Sequence, residues 1–230
     1  MKLALFDLDH TLIPFDSGLA WTRFLAARGV LPASAEEIYL GYARQYVAGT
    51  LDIHALHRAA MAPLAVHPLP TLQAWAREFE ASMAARVPPD MLALVQAHQR
   101  AGDLCAIVTA TTRLVAEPFA RLFGVPHLVA TEAVQVAGHL TGAIEGQPCF
   151  RGNKVDRVVA WLAGEKGPAL PDAQARTLGA FTQSWFYSDS FSDLPLLQAV
   201  THPVAVQPDA RLRAHALASG WPVLEQAPSA

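Results

Sequence analysis

Three short, mostly apolar runs constrain this chain more than any other feature. KLALF (2–6) runs into Asp7, LCAIV (104–108) into Thr109, and SWFYS (184–188) into Asp189. Runs of this length and character fit strands buried on both faces. Helical patterns separate them, and such alternation predicts an α/β chain: a parallel sheet flanked by helices. A parallel sheet turns all its strand ends to one edge. The polar residues that close these runs would meet there, where open sheets bind ligands.

The 230 residues suffice for a core domain plus a smaller unit. With 52% hydrophobic and only 16% charged residues, the chain has material for a large core and is not a disordered one. A net charge of -3 without a basic block gives no phosphate-tracking stripe, so no nucleic-acid partner is expected. No apolar run approaches the roughly 18–20 residues of a membrane span, so no membrane partner is expected either. Near the N-terminus Asp7 ends the apolar run too early for a signal peptide. Cys105 and Cys149 are too few for a disulfide framework, and a reducing cytoplasm is the expected compartment.

Between the first two runs the strand pattern disappears. Helices are predicted over 17–28, 34–48, 52–61 and 69–86, separated by Gly29, Gly49, Pro63 and the PLP at 68–70. They form an inserted helical unit over 15–86, leaving 1–14 and 87–230 for the core. Beyond Pro88-Pro89 a helix over 91–102 precedes a strand over 104–110, and a helix over 112–123 ends at Gly124. HLVAT (127–131) reads as a strand, residues 131–146 as a small hairpin turning at Ala137-Gly138, and 152–164 as a helix. Residues 165–172 read as a loop, with a further helix before Gln183. A short helix over 191–200, a strand over 202–208, a helix over 209–220 and a last strand at 221–224 complete the chain.

At the shared edge Asp7, Thr109, Asp189 and Asp193 would converge with Lys154, which opens the helix after the hairpin. Clustered acids need neutralising. Mg2+ does this with a few carboxylates plus water or substrate oxygens, and Lys154 could balance a phosphate. The set fits phosphoryl transfer. DLDHT (7–11), IVTAT (107–111), GNK (152–154) and SDSFSD (188–193), in that order, resemble the four motifs of the haloacid dehalogenase superfamily of phosphohydrolases. The helical insert resembles the cap of its phosphoserine-phosphatase-like branch, and the likeness spans residues 5–206.

The resemblance implies a Rossmann-like core with an α-helical cap and a Mg2+-dependent phosphatase of small phosphomonoesters. Asp7 would be the nucleophile that forms an aspartyl-phosphate. Asp9 would be general acid and then base, its backbone carbonyl also touching the metal. Thr109 and the backbone at Ala110 would bind phosphoryl oxygens, and Lys154 would neutralise developing charge. Asp189 would ligate the metal with Asp7 and Asp9, and Asp193 would orient Lys154 or support the metal. Two departures stand out: Ser188 replaces a frequent glycine, and Ala110-Thr111 crowd a loop that the family keeps small.

Other readings remain at this point. Asp189 and Asp193 could cap the helix they precede. His10 would line the entrance. His54 and His57, three apart on a helix, could bind metal but lack an acid or cysteine partner, so a surface or cap contact is expected. Trp21, Phe24 and Leu25 read as the core of the insert, with room for one aromatic at the pocket. A phosphomutase of the same superfamily is the nearest alternative activity. A receiver-like phospho-acceptor would be shorter and carry adjacent acids, and a dehalogenase would lack Asp9.

For the substrate, Asp16 stands nine residues after Asp7. Phosphoserine phosphatases carry there a glutamate that meets the substrate amine. Their cap arginine, which meets the carboxylate, falls near Ala60, with Arg58 close by. An acid without that arginine fits an amino-alcohol phosphate such as histidinol phosphate better than phosphoserine, and it also fits substrates with no amine at all. Asp16 could equally cap the first helix of the insert.

Overall fold

The computed structural model describes residues 1–164 and 177–225. Its strands are β1 (Lys2–Phe6), β2 (Leu104–Thr112), β3 (His127–Thr131), β4 (Ala133–Val136), β5 (His139–Ile144), β6 (Gln183–Ser188), β7 (His202–Val206) and β8 (Val223–Leu224). β4 and β5 pair as a separate antiparallel hairpin. The other six form one sheet in the order β3-β2-β1-β6-β7-β8, with every neighbouring pair parallel. From β1 the chain builds outward through β2 to β3, then returns to β6 and builds the other way. The switch point therefore lies between β1 and β6, where a crevice opens beyond the strand ends.

The helices are α1 (Ser17–Ala27), α2 (Ser34–Val47), α3 (Ile53–Met61), α4 (Leu69–Met83), α5 (Pro89–Arg100), α6 (Arg113–Leu122), α7 (Asn153–Leu162), α8 (Leu194–Ala199) and α9 (Ala210–Ser219). Strand side chains alternate between two cores. Ala4, Phe6, Cys105 and Ile107 face one, with Val95 of α5 and Phe119 of α6. Leu3, Leu5, Ala106 and Val108 face the other, with Val158 of α7, Leu197 of α8 and Leu212 of α9. Both faces are covered, which explains why the strands read as continuous apolar runs.

Of the four helices between β1 and α5, α1, α3 and α4 add buried residues to the first core, and α2 lies against α1 and α3. Asp16 caps α1 by accepting from Leu19 N, and Asp52 caps α3 by accepting from His54 N and Ala55 N. Trp21 stacks on Phe24 at 5.5 Å and meets Phe79 of α4 edge-on at 5.2 Å. Phe79 in turn meets Phe119 of α6 edge-on at 5.8 Å, joining insert to core. Burial of a side chain such as Phe79 stabilises by roughly 1.5–3 kcal/mol. The hairpin also holds the insert: Leu69 N donates to Gly138 O at 2.8 Å, and His139 Nδ1 lies 2.9 Å from Ala65 O.

Several boundaries differ from the sequence reading. β2 continues to Thr112, with a register shift against β3 between Val108 and Thr112. Such an irregularity re-aims side chains at a strand end. α4 stops at Met83 and tightens into a 3-10 turn over Ala84–Arg86. The helix expected over 191–200 begins as a 3-10 turn over Phe191–Asp193. The expected loop at 165–172 lies outside the described residues. So does the start of the helix expected before Gln183, where the described part holds a 3-10 turn at Leu178–Ala180.

Candidate active site

β1 delivers Asp7 and β6 delivers Asp189 to the two sides of the switch point. Lys154, in the first turn of α7, is only 3% exposed, and a buried ammonium must be paired. Its Nζ donates to Asp7 Oδ1 at 2.8 Å and to Asp193 Oδ2 at 2.6 Å. Burial works against the charge on Lys154, but Asp193 and Asp7 outweigh it and hold the group well above its ordinary range. Burial likewise raises Asp7, here to about 7, with Lys154 pulling it back down.

Asp193 does not cap α8. Its carboxylate is turned inward to Lys154 and accepts from Ser188 Oγ at 2.8 Å. The capping work falls to Ser190, whose hydroxyl accepts from Ser192 N, and to Asp209, which accepts from Phe191 N at 2.7 Å. Thr11 bridges the two strand ends. Asp189 N donates to its Oγ1 at 3.0 Å, and that hydroxyl lies 3.2 Å from Asp189 Oδ1 and 3.4 Å from Asp7 Oδ2.

Asp9 faces a different way. Its Oδ1 accepts from Ser17 N at 2.6 Å, at the start of α1, and its Oδ2 accepts from Thr111 Oγ1 at 2.6 Å. Thr111 thus positions an acid rather than merely taking up room. Thr109 is buried behind it, its Oγ1 accepting from Thr111 N at 3.1 Å. The turn that follows Leu8 is tight: Leu8 O accepts from Thr11 N, Leu12 N and Ile13 N, with His10 at a φ of 57° and exposed.

Asp7, Asp9, Asp16, Thr109, Ala110, Lys154, Asp189 and Asp193 all line one cavity of about 890 Å3, which also takes in residues of α1, α2 and α3. Asp16 Oδ1 accepts from Leu19 N at 2.7 Å and from Tyr39 Oη at 2.8 Å. That approach needs Gly18, where a Cβ would collide with the Tyr39 hydroxyl. Both bonds use one oxygen, so among the described residues Oδ2 takes no hydrogen bond. Burial, reinforced by Asp9, pushes Asp16 up to about 6. Ala60 lines the cavity and Arg58 does not. The arginines on the lining are Arg151, tied to Gly49 O at 2.9 Å, and Arg211, over the Phe191 ring.

His57 is not paired with His54 for a metal. His54 is exposed, whereas His57 is buried in the cavity wall with Nδ1 3.1 Å from Gly142 O. Sequence reasoning assigned no site role to Thr11, Ser17 and Tyr39, and marked Ser188 only as a departure from the family pattern. The hydroxyl four residues after Asp7 was a usable signal for Thr11. Tyr39 had none, because its place depends on how α2 lies across α1.

The donor set fits a hard divalent cation. Asp7, Asp189 and Asp193 crowd around one ammonium, and burial followed by the Asp7 and Asp193 charges pushes Asp189 well above the ordinary carboxylate range. A hard divalent cation such as Mg2+ would neutralise that surplus of buried negative charge. Among the described residues no three His, Cys, Asp or Glu side chains converge as a ready cage. Asp7 and Asp189 would supply two oxygens, and backbone, water or phosphate the rest, in keeping with the habit of Mg2+.

A match to the family described as haloacid dehalogenase-like hydrolase spans residues 4–198. A histidinol-phosphatase of Neisseria meningitidis serogroup C (strain 8013) is 39% identical over 226 residues, covering 97% of this chain and 98% of the relative. Phosphoserine phosphatase SerB1 of Mycobacterium tuberculosis (strain ATCC 25618 / H37Rv) is 31% identical, covering 96% of this chain and 69% of the relative. Among solved structures, a protein with unknown function from Bordetella pertussis Tohama I superposes with a TM-score of 0.85 at 43% identity, covering 97% of each chain. A substrate-bound phosphoserine phosphatase superposes with a TM-score of 0.64 at 17% identity, over 98% of this chain and 93% of that one, a likeness of fold.

Proposed function

Since the chain belongs to the haloacid dehalogenase-like hydrolases and is a phosphatase, we propose that it hydrolyses a small-molecule phosphate monoester through an aspartyl-phosphate on Asp7. The observation that carries this is the division of labour between the two acids of DLDHT. Asp7 is held by Lys154 and Thr11 at the floor of the cavity, and Asp9 by Ser17 and Thr111 at its side.

In the first half-reaction an Asp7 oxygen attacks phosphorus and the bond to the ester oxygen breaks. Asp9 gives its proton to the departing alkoxide, which leaves as the alcohol. In the second, Asp9 takes a proton from water. The resulting hydroxide attacks phosphorus, and the bond to Asp7 breaks to release inorganic phosphate. Lys154 offsets the charge gathering on the phosphoryl oxygens, Asp193 and Ser188 hold Lys154 in place, and the hydroxyl of Thr109 with the backbone at Ala110 receives those oxygens. Asp7, Asp189 and the Asp9 carbonyl would hold Mg2+, which would supply charge neutralisation at the phosphate.

The helical insert, residues 15–86, acts as a cap over this floor, and its closure excludes bulk water. The favoured substrates are amino-alcohol phosphates. Asp16 presents a free carboxylate oxygen where a cation could meet it, and no arginine of α3 lines the cavity for a carboxylate. Histidinol phosphate meets both conditions and agrees with the name of the Neisseria relative. Among the described residues no helix is long and apolar enough to cross a membrane. Two buried free thiols, raised by burial to about 11 at Cys105 and about 12 at Cys149, suit a reducing cytoplasm.

The test is chelation followed by repletion. EDTA should abolish release of inorganic phosphate from histidinol phosphate, and added Mg2+ should restore it. Full turnover in chelator would remove the metal, and phosphoryl transfer to an added sugar instead of water would favour a mutase.

A further inference from the structure

Asp9 is held by two donors of different kinds. Ser17 N–H bonds Oδ1 at 2.6 Å, and the Thr111 hydroxyl bonds Oδ2 at 2.6 Å. A backbone N–H can only donate, so Oδ1 is engaged as an acceptor and Oδ2 is the oxygen left to carry a proton. The partner of Oδ2 is a hydroxyl, which both donates and accepts. A second hydroxyl backs it: Ser17 Oγ lies 3.3 Å from Thr111 Oγ1, and either can be the donor.

The two hydroxyls come from different elements, and each is fixed. β2 continues past Thr109 to Thr112 and shifts register against β3 between Val108 and Thr112. Such an irregularity re-aims the side chains it carries. Thr111 N donates to Thr109 Oγ1 at 3.1 Å, which pins the backbone where Thr111 turns toward Asp9. Ser17 is the first residue of α1 and fully buried. Thr111 itself is half-buried on the cavity lining beside Asp9. The hydroxyl is this chain's own feature, standing in a loop that the family keeps small.

We propose that Thr111, backed by Ser17, is a positioning residue for departure of the alcohol. The inference rests on the reading of Asp9 as general acid and deepens it. With Asp9 protonated, Thr111 turns its hydrogen to Ser17 Oγ and leaves the Oδ2 proton for the ester oxygen. The bond from phosphorus to that oxygen breaks, the proton passes to it, and negative charge gathers on Asp9 Oδ2. Thr111 then turns its hydrogen to Oδ2, and a hydrogen bond to an ionised acceptor is roughly twice as strong as a neutral one. Thr111 keeps its own proton throughout and forms no covalent bond. Its bond to Asp9 strengthens only as the reaction proceeds, and interactions of that kind raise the rate. The benefit is confined to esters whose alkoxide needs a proton to leave.

The test compares kcat/KM for histidinol phosphate, whose alkoxide leaves poorly, with p-nitrophenyl phosphate, whose phenoxide leaves unaided. This ratio covers the steps up to departure of the alcohol, so the later attack of water does not enter. In the purified Mg2+-loaded enzyme Thr111→Val should lower it about 10–100-fold on histidinol phosphate, the worth of one hydrogen bond to a charged group, and less than about threefold on the aryl ester. Thr111→Ser returns the hydroxyl and should recover most of the loss. Ser17→Ala keeps the backbone bond to Asp9 and removes only the second hydroxyl, so a smaller loss of about two- to fivefold should again fall on histidinol phosphate. That variant decides the matter if Thr111→Val does not fold. Equal losses on both esters, no loss on either, or Thr111→Ser as poor as Thr111→Val would overturn the proposal, since a purely structural residue behaves in one of these ways. Asp9→Asn separates the two levels. A loss there that is selective for histidinol phosphate, without one in the hydroxyl variants, overturns the proposal and leaves the phosphatase reading standing. Equal losses on both esters in Asp9→Asn overturn the general-acid assignment, and the proposal with it.

Discussion

At the carboxyl edge of the sheet the buried charges have partners. Lys154 is shared between Asp7 and Asp193, Ser188 supports Asp193, Thr11 spans Asp7 and Asp189, and Asp9 takes two short bonds. In the helices α1 and α3 that flank the same cavity, Trp21 Nε1 and His57 Nε2 have no partner among the described residues. The sheet edge is organised before any substrate arrives, which is what electrostatic catalysis requires. Among the described residues, the one carboxylate that the insert contributes to the cavity lining is Asp16, and a lone charge on that wall bears on which substrate fits. Disturbing the first should stop turnover on every substrate, and disturbing the second should change which substrate is preferred.

The largest expected effect comes from Asp7→Asn. Asparagine fills the same space and can still accept from Lys154, but it is a poor nucleophile. kcat should fall roughly 10⁴–10⁶-fold, the range seen when a covalent nucleophile or its close partner is lost. Acid-quenched, labelled enzyme should carry no phosphoryl group. Residual turnover within tenfold of wild type would break the assignment of the sheet edge as the chemical side.

Lys154→Met tests whether that edge holds through pairing. The variant leaves Asp7 and Asp193 buried without their counter-ion. Breaking a buried pair from one side costs about 3–5 kcal/mol, so the thermal midpoint should drop clearly while kcat falls on all esters alike. A variant as stable as wild type would mean that water already screens the two acids.

The two regions were unequally legible in the sequence. Asp7, Thr109, Asp189 and Lys154 announce themselves because each sits at the end of an apolar run or the start of a helix, and a parallel sheet brings such ends together. Thr111 was read as an obstruction. Its hydroxyl serves Asp9 because β2 runs two residues further than the strand expected over 104–110, through a register shift that no local pattern marks. His57 read as a surface or cap contact, because its burial depends on β5 crossing α3, a tertiary event between residues far apart in the chain. Asp189 and Asp193 look equally suited to cap the helix they precede. The position of Lys154 takes Asp193 for itself, and Phe191 N goes instead to Asp209, from a distant part of the chain.

Asp16 lies where the regions meet, and a smaller effect is expected there. Asp16→Asn keeps a side chain that can cap α1 but removes the charge. kcat/KM on amino-alcohol phosphates should fall about tenfold relative to uncharged alcohol phosphates, the worth of one charge-assisted bond. The pH dependence sharpens this. Burial holds Asp16 up at about 6, so its carboxylate is mostly neutral below that pH and ionised above it. The wild-type preference for the amine should therefore grow as pH rises through about 6. Taking the ratio of two esters cancels the titration of the phosphate itself. Asp16→Asn should show a flat ratio, and a flat ratio in the wild type would leave Asp16 with its capping bond alone.

The smallest effect is expected where the insert touches the floor without taking part in either task. Tyr46, in the last turn of α2, donates its hydroxyl to Ser190 Oγ at 2.7 Å and lies 3.1 Å from Ser192 Oγ, next to Asp189. Its ring also leans on Phe150, at 6.2 Å between centroids. Tyr46→Phe removes only the hydroxyl and keeps the ring contact. One such bond is worth about 0.5–1.5 kcal/mol net, and at 39% exposure water can replace part of it. Arg151 still reaches Gly49 O across the same seam, so the insert retains a second hold on the floor. If the bond favours the closed arrangement, its loss lowers the closed fraction, and the apparent affinity falls by that fraction. KM should then rise about two- to fivefold, equally for imidazole-bearing and aliphatic esters, with kcat nearly constant. A change in the preference between esters would place Tyr46 on the discriminating wall. A change in kcat with constant KM would place it with the chemistry.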